Sequence, residues 1–184
     1  MTISHDGSVA AVTTVVEVGA SSDFETVFRA NFPFVSRTLR RLGVLECDLA
    51  DVAQELFITV HGDLSAWDRA RSIKPWLAAY CLRFASNYRQ LARHRGAPLD
   101  EVIGHASDAR HDDQLEARQT VARMLEALDF DQRTALVLHD MEGLTAPEIA
   151  AITKVPLPTV YSRVRLAREH ARHIINKVDQ GGAR

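Results

Sequence analysis

Residues 145–172, TAPEIAAITKVPLPTVYSRVRLAREHAR, decide the fold. Thr145 stands three residues before Glu148, the pattern in which a hydroxyl and a carboxylate cap the first turn of a helix reciprocally. Pro147 falls inside that first turn, where a missing N–H removes no helical bond. Ile149, Ala150 and Ile152 then predict a short helix over 146–152, broken at Thr153–Pro156. A longer helix is predicted over 157–177, with Pro158 in its first turn. Val160, Val164, Ala167 and Ala171 make one apolar stripe along it. A short helix, a tight turn and a long helix are the parts of a helix–turn–helix. The outer face of the long helix then carries Tyr161, Arg165, Arg168 and Arg172, with Ser162 and Arg163 beside it. Arginine bonds guanine edges and phosphates, and hydroxyls reach either, so this face implies contact with duplex DNA. A basic helix that merely solubilises a surface explains the charge but not the turn.

Upstream of this unit the chain also reads as helical. Phe24, Val27, Phe28, Phe32, Val35, Leu39 and Leu42 recur at helical spacing behind Ser22-x-x-Glu25, a capping-box pattern. Pro33 interrupts the series, which predicts a kinked helix or two helices, and Gly43 ends it. Asp48 is the expected cap of a second helix, whose stripe is Leu49, Val52, Ala53, Leu56, Phe57 and Val60, closed by Gly62. Residues 63–72 read as a polar loop around Trp67. A third helix spans 73–93, with Leu77, Tyr80, Cys81, Phe84 and Tyr88 as its inward stripe. Periodicity fades over 96–112, where Gly96, Pro98 and Gly104 lie among acidic residues, and this stretch is read as a linker. Beyond it Leu115, Val121, Met124, Leu125 and Leu128 mark a fourth helix. Asp131 is the expected cap of a fifth, stopped by Gly143.

The formal net charge of −2 hides segregation along the chain. Residues 83–95 carry Arg83, Arg89, Arg93 and Arg95 with no acid. Residues 154–177 set Lys154, Arg163, Arg165, Arg168, Arg172 and Lys177 against Glu169 alone. Between them, residues 96–116 hold Asp100, Glu101, Asp108, Asp112, Asp113 and Glu116 against Arg110. Two basic blocks flanking an acidic one point to nucleic acid, where the average would argue against it. Cys47 and Cys81 form no CxxC, so neither a disulfide framework nor a zinc signature is expected. No apolar run reaches the roughly 18 residues of a membrane helix, and Glu17 interrupts the only valine-rich start. A reducing, cytoplasmic setting is expected, with no membrane insertion, no metal and no cofactor.

Two further constellations matter. Asp51, Gln54 and Glu55 lie at i, i+3 and i+4, opposite the apolar stripe of their helix; such a trio is either a solvated acidic face or a docking face. Arg83, Asn87, Arg89 and Arg93 lie on the third helix close to Trp76, Tyr80 and Tyr88. Arginines interleaved with aromatics suit single-stranded DNA, although periodicity assigns Tyr80 and Tyr88 to the core. His170 and His173 have a metal-compatible spacing but flank Arg172 on a basic helix, and the remaining histidines form no triad. No catalytic group is expected, and the chain is not read as an enzyme.

These residues also carry a resemblance. Asp51-Val-Ala-Gln-Glu-Leu-Phe57 is similar to the D-x-x-Q-E-x-F motif of the extracytoplasmic-function sigma factors. Lys74-Pro-Trp-Leu77 and the basic run after it resemble their F-R-x-W-L helix. Leu128–Arg133, Glu142–Ala150 and Thr159–Arg163 with Ala167–Glu169 resemble three motifs of their second domain. The likeness covers residues 22–177, and five motifs occur in the family's order. The chain departs from the usual pattern at Ile73, Pro75, Asn87, Pro158 and Tyr161.

The resemblance implies an all-α protein of two small helical domains joined by a flexible acidic linker. The expected boundaries are a disordered tail at 1–20, sigma region 2 at 21–95, the linker at 96–112, sigma region 4 at 113–178 and a tail at 179–184. It implies a factor that binds core RNA polymerase and directs promoter recognition and melting. Asp51, Gln54 and Glu55 would dock on the β′ clamp helices. Trp76, Arg83, Asn87, Arg89 and Arg93 would hold the −10 element. Thr159, Tyr161, Ser162, Arg163, Arg165, Arg168 and Arg172 would read the −35 element. The implied partners are core RNA polymerase through its β′ clamp helices and β flap, promoter DNA and an anti-sigma factor. The competing expectation is a stand-alone helix–turn–helix regulator, which binds duplex DNA without polymerase and leaves the 48–60 face unused.

Overall fold

The computed structural model describes residues 18–94 and 112–181, with side chains at 24–93 and 117–177. Most of the expected N-terminal tail, the acidic segment 96–111 and the last three residues lie outside the described residues. The described chain is helical. Its elements are α1 (Val18–Arg41), α2 (Leu49–Asp63), α3 (Ile73–His94), α4 (Asp112–Glu126), α5 (Phe130–Leu136), α6 (Ala146–Thr153) and α7 (Leu157–Gly181). A short 3-10 turn, Leu64–Ala66, follows α2, and a π-helical turn, Val137–Met141, continues α5.

Helices α1, α2 and α3 pack on one another because each has one apolar stripe and must cover it. Val35, Leu39, Leu42, Leu56, Val60, Leu77 and Cys81 are fully or almost fully buried there. Burying side chains of this size contributes about 1.5–3 kcal/mol each, which is what offsets the cost of ordering three helices. Phe28 meets Phe57 edge-on at a centroid distance of 4.7 Å, tying α1 to α2. Tyr80 donates its hydroxyl to Asp63 Oδ2 at 2.7 Å, and Tyr88 donates to Asp48 Oδ2 at 2.6 Å, so α3 is pinned to both ends of α2. The apolar sides of these tyrosines pack against the core, in agreement with the sequence reading.

Several local expectations are corrected. Helix α1 begins at Val18, four residues before Ser22, so Ser22 is not its cap; of the two readings at Pro33, one helix rather than two is found. Gly62 does not close α2, which continues to Asp63. The carboxylate of Asp48 caps no backbone N–H, because Tyr88 takes it instead. The cap of α5 is Asp129, whose Oδ1 accepts from Gln132 N at 2.8 Å, rather than Asp131.

The second half follows its sequence closely. Thr145 and Glu148 form the reciprocal cap, with Thr145 N donating to Glu148 Oε2 at 2.7 Å. Lys154 ends α6 in the left-handed region at φ 56°, the conformation that turns the chain sharply toward α7. Val160, Val164, Ala167 and Ala171 are all buried, in the cluster that also holds Leu136, Leu138 and Ile149. The buried side chains of both halves belong to one contiguous cluster, since α3 packs on α6 and α1 approaches the π-helical turn.

Candidate nucleic-acid interface

Helix α7 carries the outward face that the sequence predicts. Tyr161 is 56% exposed, and Ser162, Arg165, Arg168 and Arg172 are exposed as well. Thr159 and Arg163 are half-buried at the edge of this face. The helix is held by its own half. Arg168 donates from Nε and Nη2 to the two carboxylate oxygens of Asp140 at 2.8 and 2.6 Å. These bonds hold the Asp140 carboxyl below the usual carboxylate range, with His139 adding to the effect against the opposing pull of burial. Arg163 pairs with Asp131, which explains what that aspartate does in place of capping. Arg165 pairs with Glu169 one turn along at 2.6 Å, in an exposed geometry that phosphate can replace at little cost. Tyr161, Ser162 and Arg172 project from the same face.

Helix α3 is different. Asn87 and Arg93 are exposed, and Trp76 is half-buried against Tyr80 at a centroid distance of 4.9 Å. Arg83 lies over the rings of Tyr80 and Phe84 at 4.9 and 5.3 Å. It also lines a cleft of about 600 Å³ whose opposite wall is Ile152, Lys154, Val155 and Arg163 from the second half. Arg89 is turned further inward. Its guanidinium stacks over the Phe130 ring at 4.7 Å, and burial lowers its pKa, with Arg93 nearby adding to the shift. The structure therefore brings residues expected at two separate DNA elements to the two walls of one cleft.

Asp51, Gln54 and Glu55 are all exposed on α2. Beside them an apolar groove is lined by Phe24, Phe28, Phe32, Phe57 and Ile58. Ile58 is 65% exposed and Phe32 40%, an apolar rim next to Asp51, Gln54 and Glu55. The i, i+4 spacing from Gln54 to Ile58 held that signal, but an isolated exposed isoleucine is ordinary until the groove behind it is seen.

The contacts that join the halves were missed by sequence reasoning. Glu142, with its side chain 1% exposed, accepts from Arg37 Nη2 at 2.9 Å and from Arg41 Nη1 at 2.7 Å. Arg133 donates from Nε to the Arg41 carbonyl at 2.5 Å. Arg37 and Arg41 are one turn apart on α1 and read as surface charges, because their partner lies about a hundred residues away in sequence. Among the described residues no group of three or more His, Cys, Asp or Glu side chains is placed to hold a metal ion. No described helix is long and apolar enough to cross a membrane.

Comparison with known proteins bears on both halves. The pattern of the Sigma-70, region 4 family matches residues 118–170, which takes in α5, α6, the turn and the first part of α7. The ECF RNA polymerase sigma-E factor of Escherichia coli (strain K12) is 33% identical over 136 residues, 66% of this chain and 71% of that protein. The RNA polymerase sigma-H factor of Pseudomonas aeruginosa is 32% identical over 135 residues, 65% of this chain and 68% of that protein. The fold is shared with the sigma factor RpoE of Bartonella quintana, solved with the anti-sigma factor NepR, at a TM-score of 0.71 and 22% identity over 84% of this chain and 98% of that one. It is shared also with CnrH, solved with the cytosolic domain of CnrY, at 0.66 and 24% over 86% and 91%. Two packed helical halves, a basic helix–turn–helix and this degree of identity across both place the chain in a single family: it belongs to the ECF RNA polymerase sigma factors.

Proposed function

We propose that this sigma factor docks on core RNA polymerase through Asp51, Gln54 and Glu55, with the apolar groove beside them as the anchor. Helix α7 reads the −35 duplex with Thr159, Tyr161, Ser162, Arg163, Arg165, Arg168 and Arg172. Helix α3 holds the unpaired −10 strand with Trp76, Arg83, Asn87, Arg89 and Arg93. The observation that carries the reading is the exposed face of α7, seated on a capped helix–turn–helix and bearing Tyr161, Ser162 and Arg172 outward. The chain works without catalysis of its own, in the cytoplasm, and polymerase performs the chemistry. Two of its structural neighbours were solved with an anti-sigma factor or a cytosolic partner domain, which supports an anti-sigma factor as a third partner.

The packed arrangement also bears on how this chain would reach a promoter. A −10 and a −35 element lie about 25 base pairs apart, or about 85 Å at 3.4 Å per pair. Arg83 and Arg163 line one cleft, so the halves separate before each helix engages its own element. Polymerase, by holding the first half, is what makes that separation productive. A stand-alone regulator needs only the second half and leaves the α2 face without a role.

The test is the double variant Asp51→Lys, Glu55→Lys. Both side chains are exposed, so the helical circular dichroism stays unchanged. Co-purification with core polymerase and run-off transcription should each fall at least about tenfold, the factor that corresponds to 1.4 kcal/mol. Unchanged run-off transcription would remove the docking assignment. Tight duplex binding that ignores core polymerase would favour the stand-alone regulator.

A further inference from the structure

The junction between the halves concentrates cations. Arg37, Arg41, Arg89 and Arg133 meet there, and Glu142 is the carboxylate that pairs with the first two. Arg89 and Arg133 come from opposite halves and converge on Gly43. A Cβ built on that glycine would lie 3.3 Å from Nη1 of each arginine, so both guanidinium tips face the same point. Gly43 has φ +100°, a conformation glycine adopts freely, and a side chain there would crowd both tips. Arg133 is only 7% exposed and spends its Nε on the Arg41 carbonyl. Neither Arg89 nor Arg133 has a carboxylate within ion-pair distance among the described residues. Burial and the neighbouring Arg89 lower the Arg133 pKa to about 10, against a smaller opposing pull from Glu126.

Two like charges held together in a poorly solvated place are unfavourable unless an anion joins them. Paired planar guanidinium groups offer donors in a fork that matches a tetrahedral oxyanion. We propose that Arg89 and Arg133, converging over Gly43 at the junction of the two halves, form a binding site for a phosphate-type oxyanion. The site exists only while the halves are packed, because each contributes one arginine. Bound oxyanion therefore favours the packed form over the separated one by mass action. Arg89 is shared with the −10 assignment, but the experiment below uses neither polymerase nor a promoter, so the two can fail separately.

Thermal unfolding of the full chain is followed in inorganic phosphate and in chloride at matched ionic strength. Phosphate should raise the midpoint by several degrees beyond chloride, saturably. Arg89→Gln should lose most of that increment while unfolding no earlier in chloride, since it relieves the repulsion. Arg133→Gln should behave alike, and if it fails to fold Arg89→Gln decides the matter alone. Equal midpoints in phosphate and chloride, or an undiminished increment in Arg89→Gln, would overturn the site. A short duplex that competes with phosphate in direct titration assigns the site to backbone phosphate, and one that does not assigns it to the free ion.

Discussion

Helices α3 and α7 carry the same sequence signal, an amphipathic helix with a run of arginines opposite its apolar stripe. The structure uses them in contrary ways. The α7 arginines are either free on the outer face or tied to carboxylates of their own half, as Arg168 is to Asp140 and Arg163 to Asp131. The α3 arginines are drawn toward the other half: Arg83 into the shared cleft and Arg89 onto Phe130. A basic face is thus available or occluded according to what packs over it, which no property of the helix itself records. The packing of α3 on α6 and the clasp of Glu142 by Arg37 and Arg41 hold the two halves together.

The contrast is broken most sharply at Glu142. Replacing Glu142 by Gln removes the charge from a carboxylate clamped by two arginines. The packed arrangement should lose about 3 kcal/mol, the low end for a buried pair because both arginines reach water. Small-angle scattering should show expansion, and single-strand binding through α3 should rise while duplex binding through α7 stays constant. A compact variant with unaltered single-strand binding would mean that packing does not occlude α3. A smaller effect is expected on the other side of the comparison. Arg165→Ala removes one exposed donor of α7 and, on the proposed reading, should cost about 1–3 kcal/mol in −35 duplex affinity. Single-strand binding should not change, and an equal loss of both would erase the distinction between the helices.

The smallest effect concerns pH. Burial and the bond to Asp63 raise the Tyr80 hydroxyl from 10.0 to about 12. A group whose pKa is raised on folding contributes stability that is complete below its unfolded value and lost as pH rises through its folded value. Stability of the first half should therefore fall between pH 10 and about pH 12. Tyr80→Phe should flatten that decline in a urea titration, without altering α7 or its duplex binding. A decline of the same steepness in the variant would assign it to another group.

Much of the fold was legible because local rules suffice for it. The reciprocal cap of Thr145 and Glu148 and the stripe from Val160 to Ala171 involve residues within a few turns of one another. The same holds for the inward stripe of α3, where Leu77 and Cys81 are buried as their spacing requires. The errors occur where a competing partner is distant. Asp48 reads as a cap but is taken by Tyr88, and Asp131 reads as a cap but faces Arg163. The start of α1 at Val18 shows a capping pattern overridden by continuation of the helix.

Sequence alone therefore determined the helices, their buried faces, the helix–turn–helix and the exposed side chains of α7, because these follow from periodicity and first-turn chemistry. Only the tertiary structure decided that α3 lies against α6, that Glu142 is clasped by Arg37 and Arg41, and that Arg89 and Arg133 converge on Gly43. Charges far apart in sequence have no period to reveal them. Their pairing depends on how two finished helical surfaces fit, and that fit is a property of the folded whole.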